Sequence, residues 1–242
     1  MPYSSINFNK KNILITGGAG FIGSNLAFYF QDNFPEANIV VFDCFRSEAR
    51  FLNGNLKSLG DFNNLVGFRG NIICGNINSK DDLGLLDRFE FDFIFHQAAV
   101  SDTTVFDQEY IMKTNVNSFY DILDLAKKHD SVLVYASSAA TYGNNPSPQT
   151  VGFENPLNPY GYSKYSMDQI AMKFMVNNPK IRLIGLRYFN VYGPREFYKG
   201  STSSMVMQLG HQILKGKSPR LFTNSKNIFR DFIYIDDVIQ AN

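Results

Sequence analysis

The chain has no tryptophan and only two cysteines and three histidines among its 242 residues. Cys44 and Cys74 sit in no metal-type or redox spacing, which argues against a disulfide framework and suits a reducing compartment. His96, His129 and His211 are scattered, and without a Cys/His/carboxylate cluster no metal site is expected. Charge of one sign is also lacking. The formal net charge of +1 gives no reason to expect a nucleic acid or a membrane surface as partner. No apolar run is long enough to span a bilayer. The start, Met1 to Asn9, is polar and lacks the apolar stretch of a secretory signal, so the expected location is the cytoplasm. At 44% hydrophobic and 19% charged residues, the composition suits one large core, or one core with a small extra lobe.

What is present is an alternation of short apolar runs with longer helical segments. Asn12–Thr16, Asn38–Asp43, Asn71–Cys74, Phe91–His96, Ser131–Ala136 and Arg182–Leu186 read as strands. Most are apolar without alternation, as parallel strands buried on both faces are. Phe21–Gln31, Tyr110–His129 and Tyr160–Val176 read as helices between them. The pattern predicts an α/β fold with a Rossmann-type doubly wound parallel sheet. Asn144–Pro159, rich in Asn and Pro, reads as a loop. After Leu186 the pattern changes: a helix over Ser203–Leu214 and short strands at Leu221–Phe222 and Phe232–Ile235 suggest a smaller lobe. The expected division is a dinucleotide-binding domain over residues 1–186 and a partial substrate lobe over 187–242, its last residues returning to the first domain. Asp236–Asn242 reads as a helix start without a C-cap, so further chain is expected beyond it in the natural protein.

Thr16-Gly-Gly-Ala-Gly-Phe-Ile-Gly23 follows the apolar strand Ile13–Ile15 and opens a helix. In that context Gly17 permits the tight turn, Gly20 lets backbone approach a pyrophosphate, and Gly23 lets the helix pack on the sheet. The amides around Phe21 and Ile22, at the helix N-terminus, then face the phosphates. Asp43 ends the next strand about 20 residues on, where a ribose-binding carboxylate belongs. A carboxylate there favours NAD, whereas Arg46 and Arg50 just beyond could pair with the 2′-phosphate of NADP. The residues leave that choice open.

Tyr160 and Lys164 stand four apart at the start of a predicted helix and so share a face. A tyrosine's ordinary pKa near 10 is too high for a base at neutral pH. The lysine cation and a positive nicotinamide ring are expected to bring it down. Ser137-Ser138 directly follow a strand, at the sheet edge where open parallel sheets bind ligands, so Ser138 can hydrogen-bond a substrate oxygen. Ser138, Tyr160 and Lys164 facing a nicotinamide make a hydride-transfer site in which tyrosine moves the hydroxyl proton. Tyr162 is expected to point away, and Thr141-Tyr142-Gly143 to be turn and packing.

With these motifs the chain resembles the extended short-chain dehydrogenase/reductases and, within them, the ADP-glyceromanno-heptose 6-epimerases. The carriers are Tyr135-Ala-Ser-Ser-Ala-Ala-Thr-Tyr-Gly143, Pro156-Leu-Asn-Pro-Tyr-Gly-Tyr-Ser-Lys164, Arg187-Tyr-Phe-Asn-Val-Tyr-Gly-Pro-Arg-Glu196 and Arg230-Asp-Phe-Ile-Tyr-Ile-Asp-Asp237. The narrower signals are Phe197-Tyr-Lys-Gly-Ser201 and Ser101-Asp-Thr-Thr104. The resemblance implies transient oxidation at C6 of the heptose and hydride return to the other face, with Tyr160 and Lys199 as acid/base groups. It implies cofactor contacts from Gln97, Ala98, Ala99, Asn115, Lys164 and Val191. Substrate contacts would come from Asn190, Ser201, Phe222, Thr223, Asn224, Ser225 and Arg230. It further implies tightly held NADP, a homo-oligomer (a pentamer), and a place in lipopolysaccharide inner-core synthesis. Cys44 stands where the family tends to have Asn at the adenosine contact, and Gln208 where a substrate histidine is expected. A sugar-nucleotide 4-epimerase shares the broader motifs. A 4,6-dehydratase ranks lower, because Ser138-Ala139-Ala140 lacks the Asp-Glu pair such enzymes use. A non-catalytic dinucleotide sensor commonly loses the tyrosine or lysine, and here both stand.

Overall fold

The structure, a computed structural model, describes residues 6–242. The first five residues of the polar start lie outside it.

Six parallel strands form one sheet in the order β3-β2-β1-β4-β5-β6. They are β1 (Asn12–Thr16), β2 (Asn38–Asp43), β3 (Asn71–Cys74), β4 (Phe93–His96), β5 (Val132–Ser138) and β6 (Arg182–Tyr188). Alternate side chains feed opposite layers, which is why the central strands are apolar throughout. Ile13, Ile15, Val41, Phe95 and Val134 pack under α1 (Phe21–Asn33) and α7 (Ile235–Ala241). Leu14, Val40, Phe42, Ile94 and Leu133 pack under α4 (Ser118–His129) and α5 (Pro159–Asn177). Each fully buried side chain of this size contributes about 1.5–3 kcal/mol. The remaining helices are α2 (Lys80–Gly84), α3 (Gln108–Ile111) and α6 (Met205–Leu214). The connections from β1 and β4 run to opposite sides, so the C-terminal edge of the sheet opens between these two strands. That is where doubly wound sheets bind ligands.

The sequence predicts one helix over Tyr110–His129. The structure inserts a wide π turn, Met112–Asn117, between α3 and α4. The reason is Asn115, fully buried. It accepts from the Val100 amide at 2.8 Å and donates to the Val100 carbonyl at 3.0 Å and the Ser163 hydroxyl at 2.9 Å. A π turn redirects one side chain inward, and such turns gather at functional sites.

Beyond β6, β7 (Asn190–Tyr192) pairs in parallel with β8 (Phe232–Tyr234). The strand expected at Leu221–Phe222 does not form: both residues are exposed and no neighbouring strand pairs with them. Ser204 caps α6, its hydroxyl accepting from the Met207 amide. α7 lays Ile235, Val238 and Ile239 on the same apolar layer as α1. Among the described residues no helix is long and apolar enough to cross a membrane, and no group of His, Cys, Asp and Glu could hold a metal ion.

Candidate active site

The glycine loop leaves β1 and turns into α1 against the start of the next loop. Gly17 has φ +68°, and a Cβ there would stand 2.6 Å from the Ala98 amide nitrogen. A Cβ on Gly23 would meet the Gly17 carbonyl oxygen at 2.3 Å. Gly20 is the N-cap of α1; no side chain caps the helix and no acidic residue occupies its first turn. The positive helix end at Phe21 and Ile22 therefore presents its amides to an anion. This cradle fits a dinucleotide pyrophosphate.

Asp43 does end β2 at this edge, but it is buried and braces the loop: its carboxylate accepts from the Ala19 and Phe45 amides, each at 2.9 Å. Burial raises its pKa and the backbone amides oppose that. Arg46 is engaged within the protein. Its Nε lies 3.0 Å from the nearly buried Asp61 carboxylate, and its Nη2 donates to the carbonyls of Leu59 and Tyr198. A carboxylate taken out of water needs a counter-charge, and Arg46 supplies it to Asp61. Arg50 is exposed and donates to the Gly54 carbonyl. Cys44 is exposed and its thiol donates to the Ser58 hydroxyl.

On the other wall, the Ala98 amide donates to the Thr16 hydroxyl, and Gln97 Nε2 donates to Tyr188 and Asn242. Gln97 Oε1 is buried without a protein partner, a polar atom left over for a ligand. Ala99 and Val191 are half-buried nearby in sequence and on β7 respectively. Asn115 is buried behind this wall. Its amide group bonds Val100 and Ser163, tying the wall to α5.

Ser138, Tyr160 and Lys164 come together at the end of β5. Asn158 caps α5 by accepting from the Gly161 amide at 2.8 Å, and Pro159 sits in the first turn, which fixes where Tyr160 leaves the loop. Lys164, one turn on, is 2% exposed. Its ammonium donates to the Ala136 carbonyl at 2.8 Å and lies 6.0 Å from the Tyr160 ring centroid. Burial pushes the Lys164 pKa down to about 8, against the pull of Asp168. The pKa of Tyr160 departs from expectation: burial raises it, and the Ser138 hydroxyl beside it works the other way. Ser138 accepts from the Ala140 amide and Tyr162 is exposed.

Behind these residues lies a network that sequence reasoning missed. Asp168 accepts from Tyr135, Ser137 and Arg187, each at 3.0 Å. Arg187 also pairs with Glu154 at 2.7 Å and lies over the Tyr142 ring. The available signal was Asp168 one further turn along the Tyr160–Lys164 face.

Lys199 stands in a short 3-10 turn, Phe197–Thr202, with its Nζ 5.8 Å from the Phe21 ring centroid. Burial lowers its pKa while Glu196 and Asp102 oppose. Ser201 donates to Asn55, Gln208 to the carbonyls of Ser203 and Ser201, and Asn190 to that of Asp231. A groove of about 490 Å³ beside the turn is lined by Arg46, Tyr198, Gly200, Ser203, Gln208 and His211, among others. Phe222, Thr223, Asn224, Ser225 and Arg230 lie outside it. All but the half-buried Ser225 are exposed, and Arg230 donates to the Phe229 carbonyl.

A parallel sheet in this order, with a phosphate cradle after β1 and a serine, tyrosine and lysine beyond β5, is the framework of a nucleotide-dependent enzyme acting on a hydroxyl. Residues 13–242 match the NAD dependent epimerase/dehydratase family, and the chain belongs to it. It is similar to an ADP-L-glycero-D-manno-heptose-6-epimerase from Helicobacter pylori: 49% identity and a TM-score of 0.91, over 100% of this chain and 75% of that one. It is also similar to a UDP-N-acetylglucosamine 4-epimerase from Methanobrevibacter ruminantium, at 26% identity, TM-score 0.82, covering 96% of this chain and 71% of that one. A third is a dTDP-glucose 4,6-dehydratase from Bacillus anthracis, at 27% identity, TM-score 0.78, covering 96% and 70%. The chain is thus an isomerase-type enzyme working with a nicotinamide dinucleotide.

Proposed function

We propose that the chain inverts C6 of an ADP-linked glycero-manno-heptose by oxidation to a ketone and return of hydride. The carrying observation is the convergence of Ser138, Tyr160 and Lys164 on the sheet edge that also holds the glycine cradle. The likeness to the Helicobacter enzyme supports the choice of sugar and a role in lipopolysaccharide synthesis. The dinucleotide, when bound, accepts and returns the hydride. Gly17, Gly20, Phe21, Ile22 and Gly23 would hold its phosphates, with Asp43, Cys44 and Arg50 at its adenosine end. Gln97, Ala98, Ala99 and Val191 would line its remaining length.

Tyr160 takes the C6 hydroxyl proton as the carbon is oxidised, and Ser138 donates a hydrogen bond to the same oxygen. Lys164 keeps positive charge near the phenol, opposing the effect of burial on Tyr160. Lys199 serves the oxygen in its other orientation, and burial, by lowering its pKa, makes its proton easier to give up. Asn190, Ser201, Gln208, Phe222, Thr223, Asn224, Ser225 and Arg230 would hold the sugar nucleotide, within a substrate lobe over residues 187–242 set on a dinucleotide-binding domain over 1–186. The favoured cofactor is NADP, with NAD the alternative; the favoured setting is a cytoplasmic homo-oligomer, a pentamer by resemblance. The test is product analysis with ADP-heptose against UDP-hexoses, together with mass analysis of the dinucleotide released from purified protein. Turnover of ADP-heptose that vanishes in Tyr160→Phe supports the reading; turnover of UDP-hexoses alone replaces it with a 4-epimerase.

A further inference from the structure

Arg46 stands in the loop that follows β2, yet its guanidinium reaches across to the turn that carries Lys199. Nη2 donates to the Tyr198 carbonyl at 2.6 Å, while Nε faces Asp61 at 3.0 Å. Asn55, from the same loop, grips the turn on its other side. Its Oδ1 accepts from the Ser201 hydroxyl at 2.9 Å, and its Nδ2 donates to Asp102 at 2.6 Å. Asp102 is itself held by Thr104 and Asn53. Lys199 is therefore bracketed at residues 198 and 201 by one loop.

The turn needs such anchors. Its residues are half-buried or exposed, and Gly200, at φ +58°, interrupts its helical run. The anchoring loop is in turn tied to the phosphate cradle: the Asp61 amide donates to the Ala19 carbonyl at 3.0 Å, and the Arg46 amide to the Gly60 carbonyl at 2.8 Å. An unbroken series of polar contacts thus runs from the glycine loop through Asp61 and Arg46 to the residue next to Lys199.

We infer that Arg46 and Asn55 are positioning residues that seat Lys199 for its proton transfer, rather than ligands of the nucleotide. The inference rests on Lys199 being the second acid/base group. A charged donor on a backbone carbonyl makes a strong hydrogen bond. The extended guanidinium pairs by charge with Asp61 through Nε while its Nη2 holds the Tyr198 carbonyl, a span that the single ammonium of a lysine does not cover. A displacement of about 1 Å in an acid/base group is enough to cost about 100-fold in rate.

The test follows nicotinamide reduction by absorbance in single turnovers of the cofactor-loaded protein, with each C6 epimer of ADP-heptose supplied separately. Tyr160 serves one epimer and Lys199 the other, so Lys199→Met slows one epimer selectively. Arg46→Met and Asn55→Ala are expected to slow that same epimer by about ten-fold or more and to leave the other unchanged, with partial recovery in Arg46→Lys. Hydrogen exchange over residues 197–202 is expected to quicken in both variants. Asn55→Ala, at a half-buried site, carries the test if Arg46→Met fails to fold. Equal slowing of both epimers, no slowing, or unchanged exchange would overturn the inference while Lys199→Met keeps its selectivity. Loss of selectivity in Lys199→Met itself would overturn the acid/base reading of Lys199 and this inference with it.

Discussion

Lys164 on α5 donates its ammonium to the carbonyl of Ala136 on β5, two residues before Ser138. The helix carrying the tyrosine and the strand carrying the serine are thereby locked in one register. With the pKa of Lys164 pushed down to about 8, its buried charge is costly to the fold and useful to the site. Lys164→Met is expected to lower turnover by about 100-fold or more. Its melting temperature at neutral pH should hold or rise, since an apolar side chain of similar size replaces a poorly solvated cation. Steady-state rates and a thermal melt on the same sample check both halves.

Asp168 governs stability where Lys164 governs rate. Replacing it by Ala leaves the hydroxyls of Tyr135 and Ser137 without their acceptor and Arg187 short of one of its two carboxylates. Breaking a buried pair by removing one partner costs about 3–5 kcal/mol. Urea unfolding of Asp168→Ala should show a loss of that order, with Asp168→Asn, which keeps one acceptor oxygen, losing less.

Much of this framework could be read from residues alone, and the exceptions have physical causes. The four central strands of the main sheet were legible because burial on both faces leaves an unbroken apolar run, as at Ile13–Ile15. Ser138, Tyr160 and Lys164 were legible because spacing and sheet edge fix them. The π turn was not, because it answers to Asn115 meeting Val100 and Ser163, contacts remote in sequence. Strand β7 was hidden because it is short and pairs only with β8. The contacts of Arg46 were hidden for a related reason: its partners Asp61 and Tyr198 come from elsewhere in the chain.

His96 makes the fold acid-sensitive. Its Nδ1 lies 2.8 Å from the Thr16 hydroxyl, its ring stacks on Phe119, and its other nitrogen is buried without a partner. Burial, with Lys164 adding to it, pushes its pKa from 6.5 down to about 3. The unfolded chain binds this proton first as pH falls, so the stability held by neutral His96 is complete above 6.5 and drains away toward 3. His96→Phe keeps the stack and loses the Thr16 contact. It should therefore be about 1 kcal/mol less stable near neutrality, yet lose less on acidification. Urea midpoints compared at about pH 7 and about pH 5 test this; equal acid losses in the two proteins would count against the assignment.

Two glycines in helices should answer oppositely to alanine. In α1 a Cβ on Gly23 would lie 2.3 Å from the Gly17 carbonyl oxygen and 2.8 Å from the Gly18 Cα, both backbone atoms of the phosphate cradle. The turn has to shift to admit it, so Gly23→Ala should purify without bound dinucleotide and melt lower. In α6 a Cβ on Gly210 meets nothing within 4 Å. There the change only removes backbone freedom from the unfolded chain, and Gly210→Ala should gain about 0.5–1 kcal/mol with its dinucleotide content intact. Absorbance spectra and chemical denaturation of the two variants side by side separate a glycine required by close approach from one the helix merely tolerates.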